Sequence, residues 1–133
     1  MEISESKIEE LLFSDFLNLI PEVKERTELL EKYFIIIGEI EEIGSKIVKI
    51  VDPFNETESP IFLIANNSNL IEEIRKEDTT TIRAIIKMEL EGETLNLVLV
   101  NYKPIRKFEE LKRYYQAIIR EEHRLNISLK NDI

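Results

Sequence analysis

Near the start of the chain, apolar residues recur at helical spacing: Ile8, Leu11, Leu12, Phe16 and Leu19 fall three and four apart. Ser6-Lys7-Ile8-Glu9 has the S-x-x-E form in which Ser and Glu side chains satisfy free backbone N–H groups reciprocally. The pattern predicts a helix from residue 6 to about residue 20, stopped by Pro21. Pro21-Glu22-Val23-Lys24-Glu25 opens a second short helix with Pro at its first position, ending near Tyr33.

From Tyr33 the period changes. Phe34-Ile35-Ile36-Ile37-Gly38-Glu39-Ile40-Glu41-Glu42-Ile43 is apolar on both faces and then alternates, which predicts a strand buried first on two sides and then on one. Gly38 sits at the changeover, where a missing side chain lets a strand bend. Gly44-Ser45 makes a turn, and residues 46–51 a second strand, broken at Asp52-Pro53 because Pro53 has no N–H for a ladder. Residues 61–65 form a third strand. Asn66-Asn67-Ser68-Asn69 supplies capping residues for a helix over 70–76. Strands over 79–89 and 94–100 flank a turn centred on Gly92, Pro104 closes the sheet, and a last helix runs from about Lys107 to Leu125.

Five short strands with one helix between the third and fourth is the order of the five-stranded Greek-key OB-fold barrel, β-β-β-α-β-β. The fold class is therefore mainly β, with N-terminal helices and a C-terminal amphipathic helix. Residues 1–32 are expected to form a helical extension, 33–105 the OB-fold domain, and 106–133 a partner-binding helix. Internal repeats, low-complexity stretches and linkers are absent from the sequence.

Composition narrows the function. At 133 residues and 43% hydrophobic, the chain has the length and apolar content for one domain with a core. It lacks cysteine, which excludes disulfides, thiolate nucleophiles and Cys-based zinc or iron–sulfur sites. Its one histidine, His123, lies too late for a Glu-x-x-His metal motif, since Arg120 holds the required Glu position. It is read as a favourable charge near a helix C-terminus. Isolated Gly38, Gly44 and Gly92 make no phosphate loop, and no nucleophile–base pair is visible, so no enzyme, metal, cofactor or small-molecule substrate is expected. No apolar run approaches the roughly 20 residues of a membrane span. The acidic start Met1-Glu2-Ile3-Ser4-Glu5 is unlike a secretory signal, which leads us to expect a cytoplasmic protein.

The net charge of −9 is unevenly spread. Residues 1–100 hold 10 Lys+Arg against 22 Asp+Glu, whereas residues 101–133 hold 8 against 5. Lys103, Arg106, Lys107, Lys112 and Arg113 gather at one junction. An acidic body disfavours tight binding of a phosphate backbone by this chain alone.

The strand run Phe34–Ile43 and the following Ile47-Val48-Lys49-Ile50-Val51-Asp52-Pro53 resemble the first two strands of the OB domain in the middle or small subunit of replication protein A. The closest likeness is to its archaeal relatives. Leu12-Phe13-Ser14-Asp15-Phe16-Leu17-Asn18 is similar to an N-terminal element of those relatives, and the C-terminal helix extends the likeness over most of the chain. Where that family places glycines after Asp-Pro, this chain has Phe54-Asn55-Glu56 and a longer insertion up to Pro60. The resemblance implies a subunit of a single-stranded-DNA-binding complex acting in replication and repair. Its C-terminal helix would join partner subunits, such as those of a heterotrimer, and a larger, more basic partner would carry most of the DNA binding.

Two sets of candidate residues follow. OB barrels hold single strands on the face of their second and third strands, using aromatic and cationic side chains. Lys46, Lys49 and Phe62 are the candidates there, with Phe62 read first as core, and Arg83 and Lys87 share one face of the fourth strand. Glu41, Glu42, Glu89, Glu91 and Glu93 in the flanking loops oppose phosphate binding. On the last helix, Phe108, Leu111, Tyr115, Ile118 and Leu125 make an apolar stripe widened by Tyr114 and Ile119. The stripe is expected to meet a partner helix, the alternative being that it packs on its own barrel. The competing function is an OB-fold adaptor that binds protein only, an accessory factor of a nuclease, helicase or RNA polymerase.

Overall fold

The computed structural model describes residues 8–78, 80–107 and 109–119. Its elements are β1 (Ile8–Glu10), α1 (Phe13–Leu19), 3-10 turns at Ile20–Glu22 and Thr27–Glu31, β2 (Tyr33–Ile43), β3 (Ile47–Val51), β4 (Ile61–Ala65), α2 (Ser68–Lys76), β5 (Thr81–Glu91) and β6 (Thr94–Pro104). A third helix, α3, covers residues 109–119.

β2 organises the barrel because both of its edges are used. Tyr33–Glu39 pair antiparallel with Lys87–Thr81 of β5 on one edge, and Glu39–Ile43 pair with β3 on the other. The strand changes partners at Glu39, which faces both Val51 and Thr81. A register shift between Ile40 and Glu42 completes the bend, starting two residues beyond Gly38. From β3 the sheet passes to β4 antiparallel and then to β6 through the parallel pairs Ile64↔Val98 and Ala65↔Leu99. The long β5–β6 hairpin returns to β2. The ring β2-β3-β4-β6-β5 is the closed Greek-key topology of the OB fold.

The inward residues of all five strands fill the cylinder: Phe34, Ile36, Val48, Ile50, Ile61, Leu63, Ile82, Ile86, Met88 and Leu99 are almost wholly buried. α2 adds Leu70, Ile71 and Ile74, and starts where the Asn67 side chain accepts a hydrogen bond from the Leu70 N–H. Gly92 takes φ 65° in a two-residue turn between the paired Glu91 and Thr94, the arrangement that needs Gly at its first position.

The N-terminal region differs from the helix expected over residues 6–20. Residues 8–10 are a strand parallel to Tyr33–Ile35, and the Leu11 N–H continues the ladder to the Ile35 carbonyl at 3.0 Å. The reason is non-local. β3 leaves the start of one β2 edge uncovered, and unpaired backbone groups there need partners more than Ile8 needs a helical turn. The helix starts only at Phe13, so it is not begun by the box at Ser6, which lies outside the described residues. Phe13 and Phe16 enter the main core, and the Phe16 ring lies 5.4 Å from that of Phe34 in a tilted pair. The helix expected from Pro21 to near Tyr33 is replaced by the two 3-10 turns, which seat Val23 and Leu29 in the same core. Pro104 is the last paired residue of β6, opposite Ile82, and beyond it the Ile105 N–H still donates to the Thr81 carbonyl at 2.9 Å.

Candidate nucleic-acid interface

Strand alternation puts Ile47, Lys49, Phe62 and Ile64 on the outer wall of the barrel, because Val48, Ile50, Ile61 and Leu63 point inward. Phe62, expected first in the core, is 54% exposed, and Ile47 is 45% exposed. Lys49 faces Phe62 across the ladder, and its Nζ stands 5.9 Å from the ring centroid. The same ammonium donates to Glu41 at 2.7 Å, a hydrogen bond that raises the Lys49 pKa and keeps it charged. Lys46 is exposed in the β2–β3 turn. That turn is held to α2 by Arg75, whose Nη2 donates to the Gly44 carbonyl at 3.0 Å.

The register extends this wall across the sheet. Ile47 pairs with Ile64, Ile64 with Val98, Val98 with Lys87, and Lys87 with Tyr33. The Lys87 Nζ stands 4.6 Å from the Tyr33 ring centroid. Tyr33 is a candidate that sequence reasoning missed, since its place opposite Lys87 exists only once the β2–β5 register is known. Lys49 and Phe62 thus come together, whereas Lys46 stands in the turn opposite Ala65 and Lys87 stands beside Tyr33, two strands further round the barrel from Phe62.

Arg83 does not. Its guanidinium donates to Glu10 Oε1 at 2.9 Å, which raises its pKa, and lies 5.0 Å from the Tyr114 ring centroid. The charge is spent inside the chain, tying β1 and α3 to β5.

α3 lies on its own barrel over the described length. Ile118 is buried with Ile37 and Ile105, and Leu12, Leu111 and Tyr114 pack against this second cluster. Three residues expected to face a partner, Leu111, Tyr114 and Ile118, are therefore turned toward the chain's own strands. Tyr115 rests on Phe54 with ring centroids 4.1 Å apart, and its hydroxyl donates to Glu56 Oε1 at 2.7 Å. This gives the Phe54–Pro60 insertion a role as a seat for α3. Asp52 shapes its start: Oδ1 accepts from the Phe54 N–H at 2.9 Å and Oδ2 from the Glu56 N–H at 3.1 Å. Ile119 is 38% exposed. Phe108, Leu125 and His123 lie outside the described residues.

Among the described residues, no group of three or more His, Asp or Glu side chains is placed to hold a metal ion. No helix among them is long and apolar enough to cross a membrane.

No protein-family model matches the chain, and no curated protein sequence is significantly similar to it. Solved structures share its fold. A chain in the crystal structure of yeast Stn1 and Ten1 aligns over 92% of this chain and 76% of its own length, with a TM-score of 0.58 and 16% identity. A chain of the S. pombe Stn1-ten1 complex aligns over 76% and 78%, with a TM-score of 0.56 and 12% identity. A chain of a replication protein A heterotrimer bound to ssDNA aligns at a TM-score of 0.48 and 7% identity, over 69% and 72%, and carries no weight for the fold.

Proposed function

We propose that this chain is a non-catalytic subunit of a single-stranded-DNA-binding assembly of the replication protein A type. It works inside the cell in DNA replication and repair. The observation that carries the reading is Phe62. A large ring stands more than half exposed beside Lys49, on the strand pair that OB barrels use to stack bases. Lys46 adds an exposed cation in the adjoining turn, and Lys87 with Tyr33 offers a second cation and ring further round the barrel. The net charge of −9 and the Glu41–Lys49 bridge keep the isolated chain a weak binder, so the remaining affinity comes from other subunits. Residues 106–133 carry association with those subunits, and Ile119 is the most open described residue of the stripe.

The test is the fluorescence anisotropy of a labelled 30-nucleotide oligo-dT, titrated with the full chain alone and with its co-purified assembly. The expected result is weak, salt-sensitive binding by the chain and tight binding by the assembly. Loss of the Phe62 ring in Phe62→Ala should weaken binding by about 5- to 150-fold, the value of one stacked base. If neither chain nor assembly binds, the DNA reading fails and the protein-only adaptor takes its place.

A further inference from the structure

α3 does not lie flush on the barrel. Between it and the end of β6 a cleft of about 650 Å³ remains, lined by Lys103, Lys107, Glu109, Glu110, Arg113 and Tyr114 among others. That size is within the range of small-ligand sites, roughly 300–1,000 Å³. It lies on the Arg83 side of the barrel: Lys103 pairs with Arg83 in the β5–β6 ladder, and Arg83 in turn pairs with Ile37, which α3 covers.

Among the described residues, the cations of this cleft are among those that make no ion pair, as are Lys46, Lys76 and Lys87 elsewhere. The ion pairs among the described residues engage Arg26, Lys32, Lys49, Arg83 and Arg106. Lys103, Lys107 and Arg113 take part in none of them, although the chain as a whole is strongly acidic. Against Glu109 and Glu110 in the same lining, the three cations leave an excess of positive charge that an anion relieves. Arg113 offers a planar fork of donors and the lysines mobile point charges, a set suited to phosphate oxygens.

We infer that this cleft is a second nucleic-acid site, holding one nucleotide of a single strand away from the Phe62 wall. The phosphate sits among Lys103, Lys107 and Arg113, and the base lies along Tyr114. Tyr114 is held for this purpose, since Arg83 backs its ring and is itself fixed by Glu10. Glu109 and Glu110 select between polyanions. A base brings amino donors that carboxylates accept, whereas the side chains of an acidic peptide bring only more carboxylates. This inference extends the DNA reading, and it can fail or succeed independently of it.

The experiment is a titration of the isotope-labelled full chain with deoxycytidine monophosphate, followed by amide chemical shifts. Saturable shifts at Lys103, Lys107, Arg113 and Tyr114, with at least tenfold weaker binding in Lys103→Ser/Arg113→Ser, support the site. The spectrum of the double variant reports its folding directly, and Lys107→Ser gives a milder second variant. Inorganic phosphate binding as tightly as the nucleotide overturns the assignment to a nucleotide, as does a poly-glutamate peptide that shifts these amides more strongly. Absence of shifts in the cleft, with oligo-dT still shifting Phe62 and Lys49, overturns the cleft and leaves the proposed function standing. Shifts in the cleft with no oligo-dT effect on the Phe62 wall support the cleft and count against that wall.

Discussion

A Cβ placed on Gly38 would stand 2.8 Å from Ile50 Cδ1 and 3.1 Å from Ile50 Cβ, and Ile50 is fully buried beneath the bend of β2. The glycine is required by this close approach. Gly38→Ala should destabilise the barrel by about 1–3 kcal/mol through overpacking. Trimming Cδ1 with Ile50→Val should recover part of that loss, as read from urea denaturation midpoints. Tyr102 makes a different kind of prediction. Partial burial, and then the negative charge of Glu77, which accepts its hydroxyl at 3.3 Å, push its pKa from 10.0 up to about 12. In the unfolded chain the phenol ionises near pH 10 while the folded chain retains the proton, so the unfolded state binds fewer protons over that interval. Stability is unaffected below pH 10 and falls as pH rises from 10 toward 12. Tyr102→Phe should show a shallower fall in denaturation midpoint between pH 9 and pH 11 than the native chain.

Among the elements, α3 is held in place by contacts from residues distant in sequence. Phe54 meets Tyr115, Glu56 accepts the hydrogen bond of its hydroxyl, and Ile118 reaches Ile37 and Ile105. Phe54→Ala should speed hydrogen exchange in residues 109–119 while leaving the β2–β5 amides protected, as read by mass spectrometry. Such a difference would show the insertion acting on the helix and not on the barrel. The strands were legible in the sequence where alternation is local: the expected ranges 34–43, 46–51 and 61–65 fall within a residue of the observed bounds. The first helix was not, because Ile8, Leu11 and Leu12 suit either period and the open edge of β2 decided between them. Phe62 was misplaced for a related reason. Ile61-Phe62-Leu63-Ile64-Ala65 is apolar throughout, so only pairing with Lys49 shows which side faces out.

At the scale of the molecule, the charge map and the fold concern different parts of the surface. The acidic body is spread over residues 1–100, but ion pairing absorbs Lys49, Arg83 and Arg106 and leaves Lys103, Lys107 and Arg113 out of any ion pair among the described residues. The basic junction was visible in the sequence, whereas its opening into a cleft depends on how α3 crosses the barrel. Closure depends on β2 being served along its whole length, and there β1 has a task that its three residues conceal. Tyr33–Ile35 already give one edge to β5, and β1 occupies the other. Stripped of that short cover, the cylinder would carry a raw lip of amide and carbonyl groups in register for a copy of itself. The smallest strand thus becomes the margin itself among the described residues, and at three residues it gives a neighbouring copy little ladder to extend.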